Sequence, residues 1–154
     1  MKVKDLIGER EIYCVSTGDF VQKVAELMSE KGIGAVPVLD GTNLVGIFTE
    51  RDLLRRIIAE KRNPAKTTVE EVMTPELIIA SPDFDVQDCV ALMRKYNIRH
   101  LPVVKETDLA GIISLRDLLN MEIEDKDFEI KVLNEYIHYI PPYAVRKNLS
   151  GSEQ

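Results

Sequence analysis

The chain has 154 residues, 45% of them hydrophobic and 30% charged, with a net charge of −6 from interspersed acids and bases. That composition suits one compact domain or two half-domains too small to stand alone, and it shows no basic stripe of the kind a nucleic-acid surface needs. No apolar run approaches the roughly 20 residues that span a bilayer, and the start, MKVKDLIGER, has no signal-peptide core, so a cytoplasmic location away from membranes is expected.

In chain order, a short apolar run at 12–15 reads as a strand, and Ser16-Thr17-Gly18-Asp19 as a turn. Val21, Val24, Ala25, Leu27 and Met28 then fall at i, i+3, i+4 spacing, which predicts a helix. Strand-like runs at 35–39 and 44–48 are joined by Asp40-Gly41, a hairpin signal, and a second helix opens at Glu50. Residues 62–66 break that helix, and Thr68-Val69-Glu70-Glu71 reads as a capping box for a short turn. The pattern then starts again: strand at 77–80, turn at 81–83, a helix through Val86, Cys89, Val90, Leu92 and Met93, strands at 101–104 and 109–113, and a helix from Leu115.

Shifting the sequence by 65 residues aligns 12–54 with 77–119 without a gap, and sixteen of the 43 pairs are identical. Gly46-Ile-Phe-Thr-Glu-Arg-Asp52 falls on Gly111-Ile-Ile-Ser-Leu-Arg-Asp117. The reading is an α/β (α+β) fold of tandem βαββα repeats, packed through their sheets into one pseudo-twofold module, because one copy alone cannot cover both faces of its sheet. The expected divisions are 1–63, 64–120 and a C-terminal segment 121–154, in which Phe128, Val132, Leu133, Tyr136, Ile137 and Ile140 form an apolar stripe at helical spacing before Pro141-Pro142. Residues from Arg146 onward are expected to be disordered. Cys14 and Cys89 have no second Cys or His at metal-ligand spacing and read as small buried hydrophobes; no metal is expected.

A tandem βαββα unit with Pro-Val in the second strand and Gly-h-h-[Thr/Ser]-x-x-Asp leading into the last helix resembles a CBS domain pair, or Bateman module, and the resemblance covers residues 1–120. It implies a stand-alone regulatory module, a homodimer that signals to an unidentified effector protein. The implied ligand is an adenosine nucleotide (AMP first, or ADP or ATP) held in clefts between the repeats. S-adenosylmethionine or NAD(H) sensing, and a ligand-free structural scaffold, are the alternatives. Catalysis is not expected: there is no nucleophile–base pair and no phosphate-binding loop of the P-loop type.

Two readings of the motif stay open. Thr49 with Asp52, and Ser114 with Asp117, have the spacing of a capping box, although Asp reaches back less easily than Glu. Alternatively, the hydroxyl meets phosphate at a helix start and the carboxylate accepts from ribose. The resemblance implies that Ile112, Ser114 and Asp117 face Tyr13, Ile33 and Gly34, and that Ile47, Thr49 and Asp52 face Ile78, Ile98 and Arg99. The apolar members would sandwich adenine; otherwise they are core. Arg99-His100, present in one copy only, would supply charge for phosphate, and the pair is expected nearer the Asp117 cleft, so that loss of Asp117 should weaken binding more than loss of Asp52. Arg51 and Arg116 could reach a longer phosphate chain. Gly46 and Gly111 would let ligand approach the backbone.

Overall fold

The computed structural model describes residues 1–120 and Leu133, and residues 1–120 form one compact unit. The expected C-terminal stripe and tail lie outside the described residues, apart from Leu133, which is helical and exposed.

A short helix α1 (Val3–Ile7) precedes the first repeat. That repeat runs β1 (Val15–Ser16), α2 (Val21–Lys31), β2 (Ala35–Asp40), β3 (Asn43–Thr49) and a closing helix α3 (Glu50–Asp52), which widens into π-helical turns over Leu53–Ile58. There the Ala59 N–H donates to Leu54 O and the Arg62 N–H to Ile57 O, each bond reaching back five residues. A linker helix α4 (Val69–Val72) leads to the second repeat: α5 (Val86–Tyr96), β4 (His100–Lys105), β5 (Asp108–Ser114) and α6 (Leu115–Asn120). β1 lies parallel to β2, and both hairpins are antiparallel, with a register shift at the same repeat position, Val38/Leu39 and Val103/Val104. The sheets of the two repeats meet through β3 and β5.

The first strand of the second repeat is cut to a single parallel bridge, Ala80 with Val103, where the first repeat pairs Val15 with Val38. Thr17 shows why. Its N–H donates to Leu39 O at 3.1 Å, and the equivalent residue, Pro82, has no N–H to offer. The hairpin turns also sit one residue later than Asp40-Gly41 implies. Asp40 pairs with Asn43, so Gly41 and Thr42 make the bend, with positive φ at Gly41. In the second repeat Glu106 takes that place at φ 57°. The helices α2 and α5 both end on a left-handed residue, Gly32 and Asn97.

Each core needs a helix from outside its own repeat pattern. Val69 and Val72 of α4, both essentially inaccessible, join Val15, Val24, Val38 and Phe48 in the core of the first repeat, and the Val69 N–H donates to Asp19 O. The capping box expected at Thr68 forms: its N–H donates to Glu71 Oε2 at 2.7 Å. By the same logic α1 docks on the second repeat. Val3 and Lys4 donate to Phe84 O and Pro82 O, Lys2 and Lys4 pair with Asp85 and Asp83, and Ile7 lies against Gly111. Cys89 is fully buried in that half, which pushes its thiol up to about 11, with Asp88 adding to the effect. Half-buried Cys14 is raised by burial as well, and neither is in a disulfide.

Candidate functional site

The strand-to-helix junctions of the two repeats have the same construction. The Glu50 N–H donates to Gly34 O at 3.0 Å, and the Leu115 N–H donates to Arg99 O at 2.8 Å, so each closing helix is pinned to the segment before its second strand. Both junctions carry a complete reciprocal cap. Thr49 N–H donates to Asp52 Oδ2 (3.0 Å) and Asp52 N–H to Thr49 Oγ1 (3.2 Å). Ser114 N–H donates to Asp117 Oδ2 (2.8 Å) and Asp117 N–H to Ser114 Oγ (3.0 Å). Aspartate therefore reaches the cap amide without difficulty, contrary to the expectation from its length.

What differs is the second oxygen. Asp52, 6% exposed, receives the Thr74 hydroxyl on Oδ1 at 3.1 Å, with Arg56 Nε at 3.7 Å. Arg56 in turn donates to the carbonyls of Val72 and Met73 at the end of the linker helix, at 3.0 and 2.6 Å. Asp117 is more open and pairs with Arg10 at 3.1 Å.

A cavity of about 390 Å³ opens at the Asp52 junction and takes its walls from both repeats. Ile47, Ile78, Ile98 and Pro102 supply apolar surface; Thr49, Asp52, Thr74 and Asn97 supply neutral and anionic polar groups. Arg51, Arg55, Arg56 and Arg99 line it too, with Glu50 and Glu76 opposing them. The Arg51 guanidinium donates to Asn97 O, which ties the first repeat to the second. Arg55 and Arg99 are exposed and have no ion-pair partner among the described residues. The volume lies at the small end of the ~300–1,000 Å³ usual for small-molecule sites.

Of the residues singled out in the sequence, Ile47, Thr49, Arg51, Asp52, Ile78, Ile98, Arg99 and His100 come together here, and so does Gly34. Gly34, expected on the Asp117 side, lines the Asp52 cavity, as do Arg99 and His100, and these two also stand beside the Asp117 junction, where Arg99 O accepts from the Leu115 N–H and Asp117 acts on the His100 imidazole. His100 is the register partner of Ser114, and its side chain extends to the first repeat, where a Cβ on Gly34 would meet His100 Cε1 at 3.4 Å and Glu50 Oε1 at 2.9 Å. Burial holds the His100 imidazole below the ordinary histidine range. Glu50 and Asp117 pull it up, while Arg99 and Arg116 push it further down.

The other residues lie elsewhere. Tyr13 is half-buried, its hydroxyl donating to Glu11 at 2.9 Å and Lys31 standing 5.2 Å from its ring centre. Ile33 packs against the first core, Ile112 pairs with Pro102 within its hairpin, and Arg116 is exposed. The space left by Gly46 and Gly111 is filled by the chain itself, Met73 with Thr74 O in one case and Ile7 in the other. Sequence reasoning missed Arg55, Arg56, Thr74 and Tyr96. Arg55 and Arg56 were within reach, being one turn beyond Arg51 and Asp52; Thr74 lies in the linker, outside the repeat match.

Among the described residues no cluster of His, Cys, Asp or Glu is arranged to hold a metal ion, and no helix is long and apolar enough to cross a membrane. The CBS domain family model matches residues 3–59 and 69–124. The chain is 37% identical over 116 residues to the CBS domain-containing protein YhcV of Bacillus subtilis, covering 75% of this chain and 81% of that one. A solved CBS-domain structure from Burkholderia ambifaria MC40-6 superposes with a TM-score of 0.77 at 38% identity, covering 82% of this chain and 96% of the other. The CBS domain pair of protein MJ0100, solved with methylthioadenosine and S-adenosyl-L-methionine, matches with a TM-score of 0.68 at 29% identity, covering 77% and 92%. The doubled motif agrees with these likenesses: the chain belongs to the CBS domain family, as a tandem pair forming a regulatory module.

Proposed function

We propose that the protein senses an adenosine nucleotide, AMP first, in the cavity at Asp52. The observation that carries the reading is the pairing of an apolar wall built by both repeats with two exposed guanidiniums, Arg55 and Arg99, that have no ion-pair partner among the described residues. A flat base would lie between Ile47, Ile78 and Ile98, and phosphate would meet Arg55 and Arg99 through charge-assisted hydrogen bonds. Asp52 would accept from ribose once the Thr74 hydroxyl, which can rotate, turns away. The bound molecules of the MJ0100 pair share an adenosine group, which supports the class of ligand. S-adenosylmethionine, with its ammonium and sulfonium charges, suits four arginines less well, and NAD(H) is larger than the cavity favours. A homodimer and a downstream effector protein complete this reading. The exposed Leu54 and Ile58, one turn apart on the closing helix, offer apolar surface to a second copy.

Because Arg55 and Arg99 line the Asp52 cavity, this reading ranks Asp52 above Asp117 for AMP. Calorimetric titration with AMP should show Asp52→Asn weakening binding roughly 10- to 100-fold, as expected for a lost hydrogen bond to a charged group, and Asp117→Asn doing less. A second reading has its own support: both aspartates cap their helices through Oδ2 and hold a partner of the chain itself on Oδ1, which a ligand-free scaffold explains equally well. No heat with AMP, ATP, NADH or S-adenosylmethionine would favour the scaffold.

A further inference from the structure

The N-terminal helix α1 is held on the second repeat by backbone bonds, two lysine–aspartate pairs and the buried Val3 and Ile7. Past Gly8, which has φ 48°, the chain runs without helix or strand to β1, and in this stretch Arg10 reaches Asp117 at 3.1 Å. Asp117 is the repeat equivalent of Asp52, the carboxylate that faces the cavity. The first repeat is wired in a comparable way, since Asp52 connects through Thr74 and Arg56 to the end of the linker helix α4. In each half, then, the aspartate of the doubled motif is joined to the lead-in helix that closes that half's core. The second connection is the more breakable one: Arg10 is half-exposed, Asp117 is 27% exposed, and one ion pair carries it.

We infer that Arg10 is a latch for the N-terminal arm, and that a ligand drawing on the Asp117 carboxylate competes with Arg10 and loosens the arm, making the arm the element that reports occupancy of the second repeat. The competition rests on the nucleotide reading above; the latch does not. A ribose hydroxyl and a guanidinium would both donate to the outward oxygen, Oδ1, while Oδ2 stays with the Ser114 cap. Ligand and latch therefore exclude one another without unfolding the helix start.

The amides of Val3 and Lys4, bonded to Phe84 and Pro82, report the arm's docking, and hydrogen exchange reads them directly. In the ligand-free protein, Arg10→Ala and Asp117→Asn should each speed their exchange about 2- to 5-fold, the range for one partly exposed ion pair, and Arg10→Lys should restore part of the protection. Asn at 117 can keep the cap, so this variant separates latch from fold. Unchanged exchange in both variants overturns the latch whatever AMP does. For the competition, AMP is added to Asp52→Asn and to Asp52→Asn/Asp117→Asn protein, so that calorimetric binding lost only in the double variant reports the second repeat. Binding with faster Val3 and Lys4 exchange supports the proposal, and binding with unchanged exchange overturns the competition. No binding of AMP by any variant overturns the nucleotide reading and the competition with it, and the ligand-free exchange rates then decide the latch alone.

Discussion

His100 pairs with Ser114 across the second hairpin, yet its imidazole closes on the Cα of Gly34 in the other repeat, beside the Glu50 carboxylate. One ionisable ring thus bridges the two halves at the wall of the cavity. Burial keeps it neutral below the pH at which an unfolded histidine would already be charged.

This fixes the sign of one pH effect. With its folded pKa depressed below the unfolded value of roughly 6.5, His100 contributes stability that is fully present above that value. The contribution is lost as pH falls toward the folded pKa, because the unfolded chain then binds the proton more readily. The melting temperature of the wild type should therefore drop on acidification below about pH 6.5 more steeply than that of His100→Gln. Parallel curves for the two proteins would remove His100 from the account.

The two repeat-equivalent glycines should respond unequally to a methyl group. At Gly46 a Cβ would meet Met73 Sδ at 2.5 Å and the backbone oxygen of Thr74 at 3.0 Å, an oxygen that accepts from Ile47 and cannot move freely. Gly46→Ala should cost about 1–3 kcal/mol, the scale of overpacking. At Gly111 the neighbour is the Ile7 side chain at 3.2 Å, which can shift with the arm, so Gly111→Ala should cost less. Urea denaturation of the two variants compares them, and equal losses would contradict the difference.

Glu106 carries the positive φ that Gly41 carries in the first repeat. Relieving a left-handed non-glycine residue gains about 1–2 kcal/mol, and the extra freedom of glycine in the unfolded chain takes back roughly 0.5–1. Glu106→Gly should therefore raise stability by about 0.5–1 kcal/mol, measurable by denaturant titration, with no change expected in ligand affinity.

Residues 1–63 expressed alone should show no cooperative thermal transition by circular dichroism. The fragment lacks Val69 and Val72, which complete the first core and together are worth on the order of 3–6 kcal/mol when buried. Such a loss removes most of what a chain of that size can hold. A sharp transition would mean that the half closes without the linker helix.

The doubled pattern was legible because both sheet faces and helix stripes repeat at one spacing: Val21/Val86, Pro37/Pro102 and Asp52/Asp117 mark equivalent positions in sequence and in space. The lead-in helices were only half visible. Thr68-Val69-Glu70-Glu71 announced α4 through its cap, whereas α1 has no such signature, and neither shows which half it covers. Site membership was readable where it follows backbone position, as for Thr49 and Asp52. It was not readable where a long side chain decides: His100 crosses between repeats, Arg10 spans from the arm to Asp117, and Arg56 turns back to the linker.

The docking of α1 on the second repeat also sets a timetable for synthesis. Ile7 and its seat at Gly111 are separated by about a hundred residues, which at ~5–20 residues per second leaves the ribosome some 5–20 s apart. For that interval Val3 and Ile7 have no surface to cover them, while the first repeat can already close on α4. The second repeat is completed by a segment made before the first, so its closure is a late, long-range event, of the kind whose loop-closure entropy slows folding.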